Sequence, residues 1–142
     1  MAPIGMEADD SPPEMEIEMP KEGYIHLSNI MDPYPSPSDK TMVIAFPWMA
    51  PFEIKVRAKD NSGPVNVHVY IDGFYPDEPW RSDSIKLESV GLGYDLYTGT
   101  LRRTLLGNHE LAFVCYDRYG LVTIDEMDIM FLYMPRPSII LK

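Results

Sequence analysis

Two aspartates occupy matched positions in this chain. Ile54-x-Val56-x-Ala58-x-Asp60-x-x-Gly63 recurs as Leu111-x-Phe113-x-Cys115-x-Asp117-x-x-Gly120. Two carboxylates placed alike are the raw material of general acid–base chemistry, provided their surroundings separate their proton affinities. Each aspartate here ends an alternating, strand-like run and precedes a glycine. That is the setting of a turn, where aspartate bonds its own backbone and glycine takes a positive φ. The repeat therefore reads as architecture before it reads as a paired active site.

The other reactive groups are scattered. His26, His68 and His109 fall on three separate strand-like segments, and a zinc site needs three or four converging ligands. Asp60, Asn61, Asp72, Asp77 and Asp117 are turn oxygens that could gather at one end of a sandwich. Calcium takes six to eight oxygens and is the one cofactor this set would suit, but no contiguous loop supplies them. Turn capping is the stronger reading, and no metal ligand is assigned. Cys115 is the only cysteine. On an alternating inner face it is buried and inert. His109 shares its strand face but lies six residues away, about 20 Å in an extended chain. No G-x-S-x-G elbow, H-E-x-x-H helix or phosphate loop is present. No catalytic residue is assigned, and the chain reads as non-enzymatic.

The binding candidate is the stretch Phe74-Tyr75-Pro76-Asp77-Glu78-Pro79-Trp80-Arg81. Phe74, Tyr75, Trp80 and Arg81 are the residue types that stack on sugars or anchor a protein partner. The competing reading folds Phe74 and Trp80 back as a plug on the open edge of the sandwich. A weaker patch, Pro47-Trp48-Met49-Ala50-Pro51, is expected to pack between the first strands.

The elements that must carry these groups are strands. Phe52 to Ala58, Val65 to Ile71 and Met127 to Tyr133 alternate apolar and polar residues with a period of two. Gly23–Ser28, Thr41–Phe46, Ser84–Val90, Tyr94–Arg103 and His109–Asp117 complete seven or eight strands. They are separated by turn signals such as Asp60-Asn61-Ser62-Gly63 and Asp72-Gly73. The proline-rich stretch Asp32–Ser38 is expected to be a surface loop. No amphipathic helix is evident. The spacing predicts an all-β, antiparallel sandwich. Its Ala58 and Cys115 would face each other from the central strands of opposite sheets.

Composition agrees. A chain of 142 residues with 45% apolar content holds one core. Seven of its 22 acidic residues but only one of its 12 basic residues precede Gly23. Residues 1–21 thus read as an acidic, proline-punctuated tail or linker, 22–135 as the sandwich and 136–142 as a C-terminal extension. The net charge of -10 argues against a nucleic-acid partner. No apolar run is long enough to insert into a membrane.

The string Val56-x-Ala58-x-Asp60-x-Ser62-Gly63-x-Val65-x-Val67-x-Val69-Tyr70-x-Asp72-Gly73 resembles the front half of bacterial and archaeal immunoglobulin-like domains. Tyr97-x-Gly99-Thr100-Leu101, Gly107-x-His109-x-Leu111-x-Phe113 and Asp117-x-x-Gly120 are similar to the back half. The chain departs from that pattern at Cys115, where alanine is common, and at Leu121, where asparagine is usual. The resemblance covers roughly Lys21 to Met134. It implies a non-catalytic module of a surface or secreted protein, acting as a spacer or binding protein or carbohydrate. The competing class is an accessory domain of a larger extracellular hydrolase, and a small intracellular scaffold protein is the third. As part of a longer precursor the chain is expected outside the cell or at its surface. As a complete chain it is expected in the cytoplasm.

Overall fold

The computed structural model describes residues 12–28, 32–45, 52–61, 63–73, 83–91, 95–101 and 105–133. They form ten strands: β1 Glu14–Met19, β2 Tyr24–Leu27, β3 Tyr34–Pro35, β4 Thr41–Ala45, β5 Phe52–Lys59, β6 Asn66–Ile71, β7 Asp83–Ser89, β8 Leu96–Leu101, β9 Gly107–Tyr116 and β10 Val122–Tyr133. Among the described residues no helix is long and apolar enough to cross a membrane.

The hydrogen-bonded order is β1-β5-β8-β7-β6-β9-β10-β4-β2-β3. The sheet folds over at β7, which pairs β6 through Asp83–Leu87 and β8 through Glu88 and Ser89. A smaller layer (β1, β5, β8) thereby faces a larger one (β6, β9, β10, β4, β2, β3). Side-chain alternation fills the space between them. Ile54, Val56 and Ala58 of β5 meet Leu111, Phe113 and Cys115 of β9 in one core with Val67, Val69, Leu87, Ile129 and Phe131. Ala58 is 3% exposed and Cys115 is fully buried, as the repeat predicts. The two repeated turns also match. Gly63 N donates to Asp60 O and Gly120 N to Asp117 O, each at 3.2 Å, with both glycines at positive φ.

Three features differ from the sequence expectation. There are ten strands rather than seven or eight. The sheet is mixed rather than purely antiparallel, because β4 runs parallel to both β10 and β2. And residues 14–19, expected in a tail, form β1 against β5. Met15, Ile17 and Met19 pack on the core, while Glu14 and Glu18 pair with Lys59 and Arg57. Proline at both ends is compatible with such a strand because only one of its edges is bonded. The same holds for Tyr34–Pro35, expected in a loop, at the opposite edge.

Candidate functional site

The two outer faces of the sandwich are unlike. On the smaller layer, the outward side chains of β1 and β5 form an ion-paired lattice. Lys55 pairs with Glu53 (3.6 Å), Lys59 with Glu14 (3.6 Å), and Arg57 bridges Glu18 and Asp95. The two carboxylates hold the Arg57 guanidinium still more firmly protonated, Glu18 first. This is a face made for water.

The outward face of the larger layer is aromatic and aliphatic. Its rows follow from the register. Asn66, Tyr116 and Val122 stand side by side, then His68, Val114 and Ile124, then Tyr70, Ala112 and Glu126. The His68 ring lies 6.1 Å from Tyr70 and 6.3 Å from Tyr116, tilted 30° to the first and 81° to the second. Burial, and then Tyr70, push the Tyr116 hydroxyl pKa upward. Burial, then Lys86, lower that of His68, with Glu88 opposing. Val114 and Ala112 also point outward, yet they are 0% and 2% exposed. Ile124 and Val122 are 44% and 38% exposed. Further down the face, Glu110 stands opposite Asp128, then Asn108, Met130, Met42 and Ile25 align. Leu132, Ile44 and Leu27 form the last row.

The remaining candidates are structural. His26 is fully buried. Its Nε2 accepts from Lys21 N at 2.8 Å and its Nδ1 donates to Met42 O at 2.9 Å. Only the neutral ring satisfies both, and burial lowers its pKa. His109 ties Asp72 (2.7 Å) to the Leu106 carbonyl (2.8 Å), and Asp72 Oδ1 accepts from Glu110 N. This clamp holds Asp72 at φ 60°. The histidines thus serve the core, the outer face and a turn, and do not converge. Among the described residues no group of three or more histidine, cysteine, aspartate or glutamate side chains is arranged to hold a metal. Asp117 is 4% exposed, and its Oδ1 caps the turn through Tyr119 N (2.8 Å) and Leu121 N (2.9 Å). Its Oδ2 is buried without a partner among the described residues. The Cys115 thiol is pushed up to about 12, by burial first and then by Asp60 and Asp117. It is a core side chain and not a nucleophile.

Phe74, Tyr75, Trp80 and Arg81, together with the Pro47–Pro51 patch, lie outside the described residues. The chain leaves β6 for the 74–82 stretch at Asp72–Gly73, beside the Glu110 row. The aromatic face was missed in the sequence, although its signal was there. Asn66, His68 and Tyr70 are the polar-phase residues of β6, and two of them are rings where the same phase of β5 carries only charges. Likewise Leu111–Cys115 does not alternate, which marks a strand covered on both faces.

An all-β sandwich whose two layers are joined through β7 fits the immunoglobulin-like and fibronectin-III-like class of folds. Comparison with solved structures agrees. The fibronectin(III)-like modules of Clostridium thermocellum CbhA superpose with a TM-score of 0.50 at 18% identity, over 86% of this chain and 47% of theirs. An engineered protein superposes with a TM-score of 0.51 at 14% identity, over 85% of this chain and 21% of that one. The chain therefore spans less than half the length of either structure. At these identities the likeness defines the fold alone. No family model matches the sequence, and no curated protein matches it.

Proposed function

We propose that the chain is a non-catalytic module of a surface or secreted protein that binds a protein partner through the outer face of its larger layer. The observation that carries this reading is the contrast between the two faces. One is an ion-paired lattice of Glu14, Glu18, Glu53, Lys55, Arg57 and Lys59. The other sets His68, Tyr70 and Tyr116 beside exposed Val122 and Ile124. A plain spacer has no use for the second surface, since exposed apolar patches mark interaction sites. Protein is favoured over carbohydrate by the aliphatic share of the face, where Val122 and Ile124 stand 38% and 44% exposed beside the rings.

The accessory-domain reading remains the alternative. It draws support from the CbhA modules, which are themselves parts of a longer chain. Affinity capture with three baits tests the proposal. The wild-type chain and a Lys55→Glu variant should retain the same partner, and Val122→Glu/Ile124→Glu should lose it. Equal capture by all three removes the outer face from the function.

A further inference from the structure

We infer that the partner is a protein segment presenting basic side chains between two apolar flanks; this rests on the binding reading above. The register sorts the outer face into three bands along β10. Tyr116, Val122, His68 and Ile124, over the buried Val114, form the first. Glu126, Glu110 and Asp128 form the second. Met130, Met42, Ile25, Leu132, Ile44 and Leu27 form the third. From Val122 to Leu132 the face is about 33 Å long, and at any one row it is three or four strands, about 10–14 Å, wide. That is roughly 400 Å², about half of the ~800 Å² that one side of a standard interface buries and enough for a peptide segment.

The middle band decides what fits. Glu110 and Asp128 are directly opposed across β9 and β10, an arrangement that like charges disfavour. Glu126 adds a third carboxylate, and it is the largest cause of the upward shift of the Glu110 pKa. Among the described residues no cation forms an ion pair with any of the three, although Lys40 lines the same cleft of about 350 Å³ with Asn108, His109, Glu110 and Asp128. The contrast with the other face is direct, because there every β5 cation has its carboxylate. A second copy of this chain docked about a two-fold axis through the band would set acid on acid. A basic segment removes the repulsion, and a guanidinium beside Glu126 would also lie in the Tyr70 row, within reach of a ring face. Apolar side chains before and after it would meet the first and third bands.

The test uses amide-resolved NMR titration with three blocked nonapeptides in which three leucines precede and three follow a central run of three arginines, three citrullines or three glutamates. The arginine peptide should shift the amides of Glu110, Ala112, Glu126 and Asp128. Its affinity should fall at least tenfold on replacing arginine by citrulline, and at least tenfold in a Glu110→Gln/Glu126→Gln/Asp128→Asn variant that melts no lower than the wild type. Equal binding of the citrulline peptide on this face overturns the basic-partner inference and leaves the binding reading intact. No shift on this face with any peptide, or shifts at Glu14, Glu16 and Glu18 instead, overturns both. Sedimentation supplies a further arm. A wild-type dimer that Ile124→Glu dissociates makes a second copy the occupant and refutes the inference.

Discussion

Gly99→Ala is a single methyl addition with a large expected effect. Gly99 lies on β8 opposite Ile54, where β7 crosses from one layer to the other. A Cβ at this position would stand 2.5 Å from Leu87 Cδ2, 3.4 Å from Ile85 Cγ2 and 3.6 Å from Lys86 O. Non-bonded carbons rest at about 3.5–4.0 Å, so the end of Leu87 must retreat by about 1 Å. Leu87 is 1% exposed and sits inside the core, so it cannot swing into water. Overpacking of this kind costs about 1–3 kcal/mol. At roughly 3–5 °C per kcal/mol for a chain of this size, the melting midpoint should fall by about 3–15 °C. Urea titration should show a lower midpoint with an unchanged slope. The double-mutant cycle isolates the cause. Leu87→Ala alone should cost ~2–5 kcal/mol, but in that background the new methyl enters vacated space and Gly99→Ala should cost little. The coupling should be at least about 1 kcal/mol. Strict additivity, or an unchanged midpoint for Gly99→Ala, would refute the close approach of β7 and β8. It would also refute the placement of Lys86 and Glu88 beside His68.

Three further outcomes are expected. Because burial lowers the His26 pKa, the unfolded chain takes up the proton first as the pH falls below 6.5. Stability held at pH 7.5 is then lost progressively on acidification. His26→Phe should cost ~1–3 kcal/mol at pH 7.5 and flatten that pH dependence in urea titrations, with His68 contributing the remainder. The Glu110 pKa is raised, so its ionised form opposes folding at neutral pH. Glu110→Gln should therefore raise the melting midpoint at pH 7, and the gain should vanish below the carboxylate range. Asp117→Ala unties Tyr119 N and Leu121 N and should cost about 1–2 kcal/mol. Since Asp117 acts through its own turn, melting with and without a calcium chelator should give the same midpoint, and a shifted midpoint would restore the metal reading.

The strands were legible wherever one face is dry and the other wet. Phe52 to Lys59 alternates cleanly because Ile54, Val56 and Ala58 face the core while Lys55 and Arg57 face water. Glu14 to Met19 carries the same alternation, but its flanking prolines and charge matched those of a linker. Which reading holds depends on Lys59 and Arg57 forty residues on, and no local pattern reports that. The parallel partnership of β4 was hidden for a related reason. Alternation reports which side of a strand is buried but not which neighbour lies beside it or in which direction. The aromatic face was assembled by register. His68 and Tyr116 are forty-eight positions apart in the chain and become neighbours only when Val67 pairs with Cys115.

The parallel ladder between β4 and β10 has a mechanical consequence. The chain enters β1 at the end of the sandwich where Thr123 Oγ1 donates to the Pro13 carbonyl, and β10 finishes at the other end beside Ala45. A pull applied between Thr41 and Tyr133 hauls on β4 from its leading residue and on β10 from its trailing one. The five residue pairs between Thr41 and Tyr133 are then strained in shear together, whereas an antiparallel hairpin would unzip one rung at a time. Tension applied across this ladder would load all five pairs at once and leave the outer face of the layer unchanged.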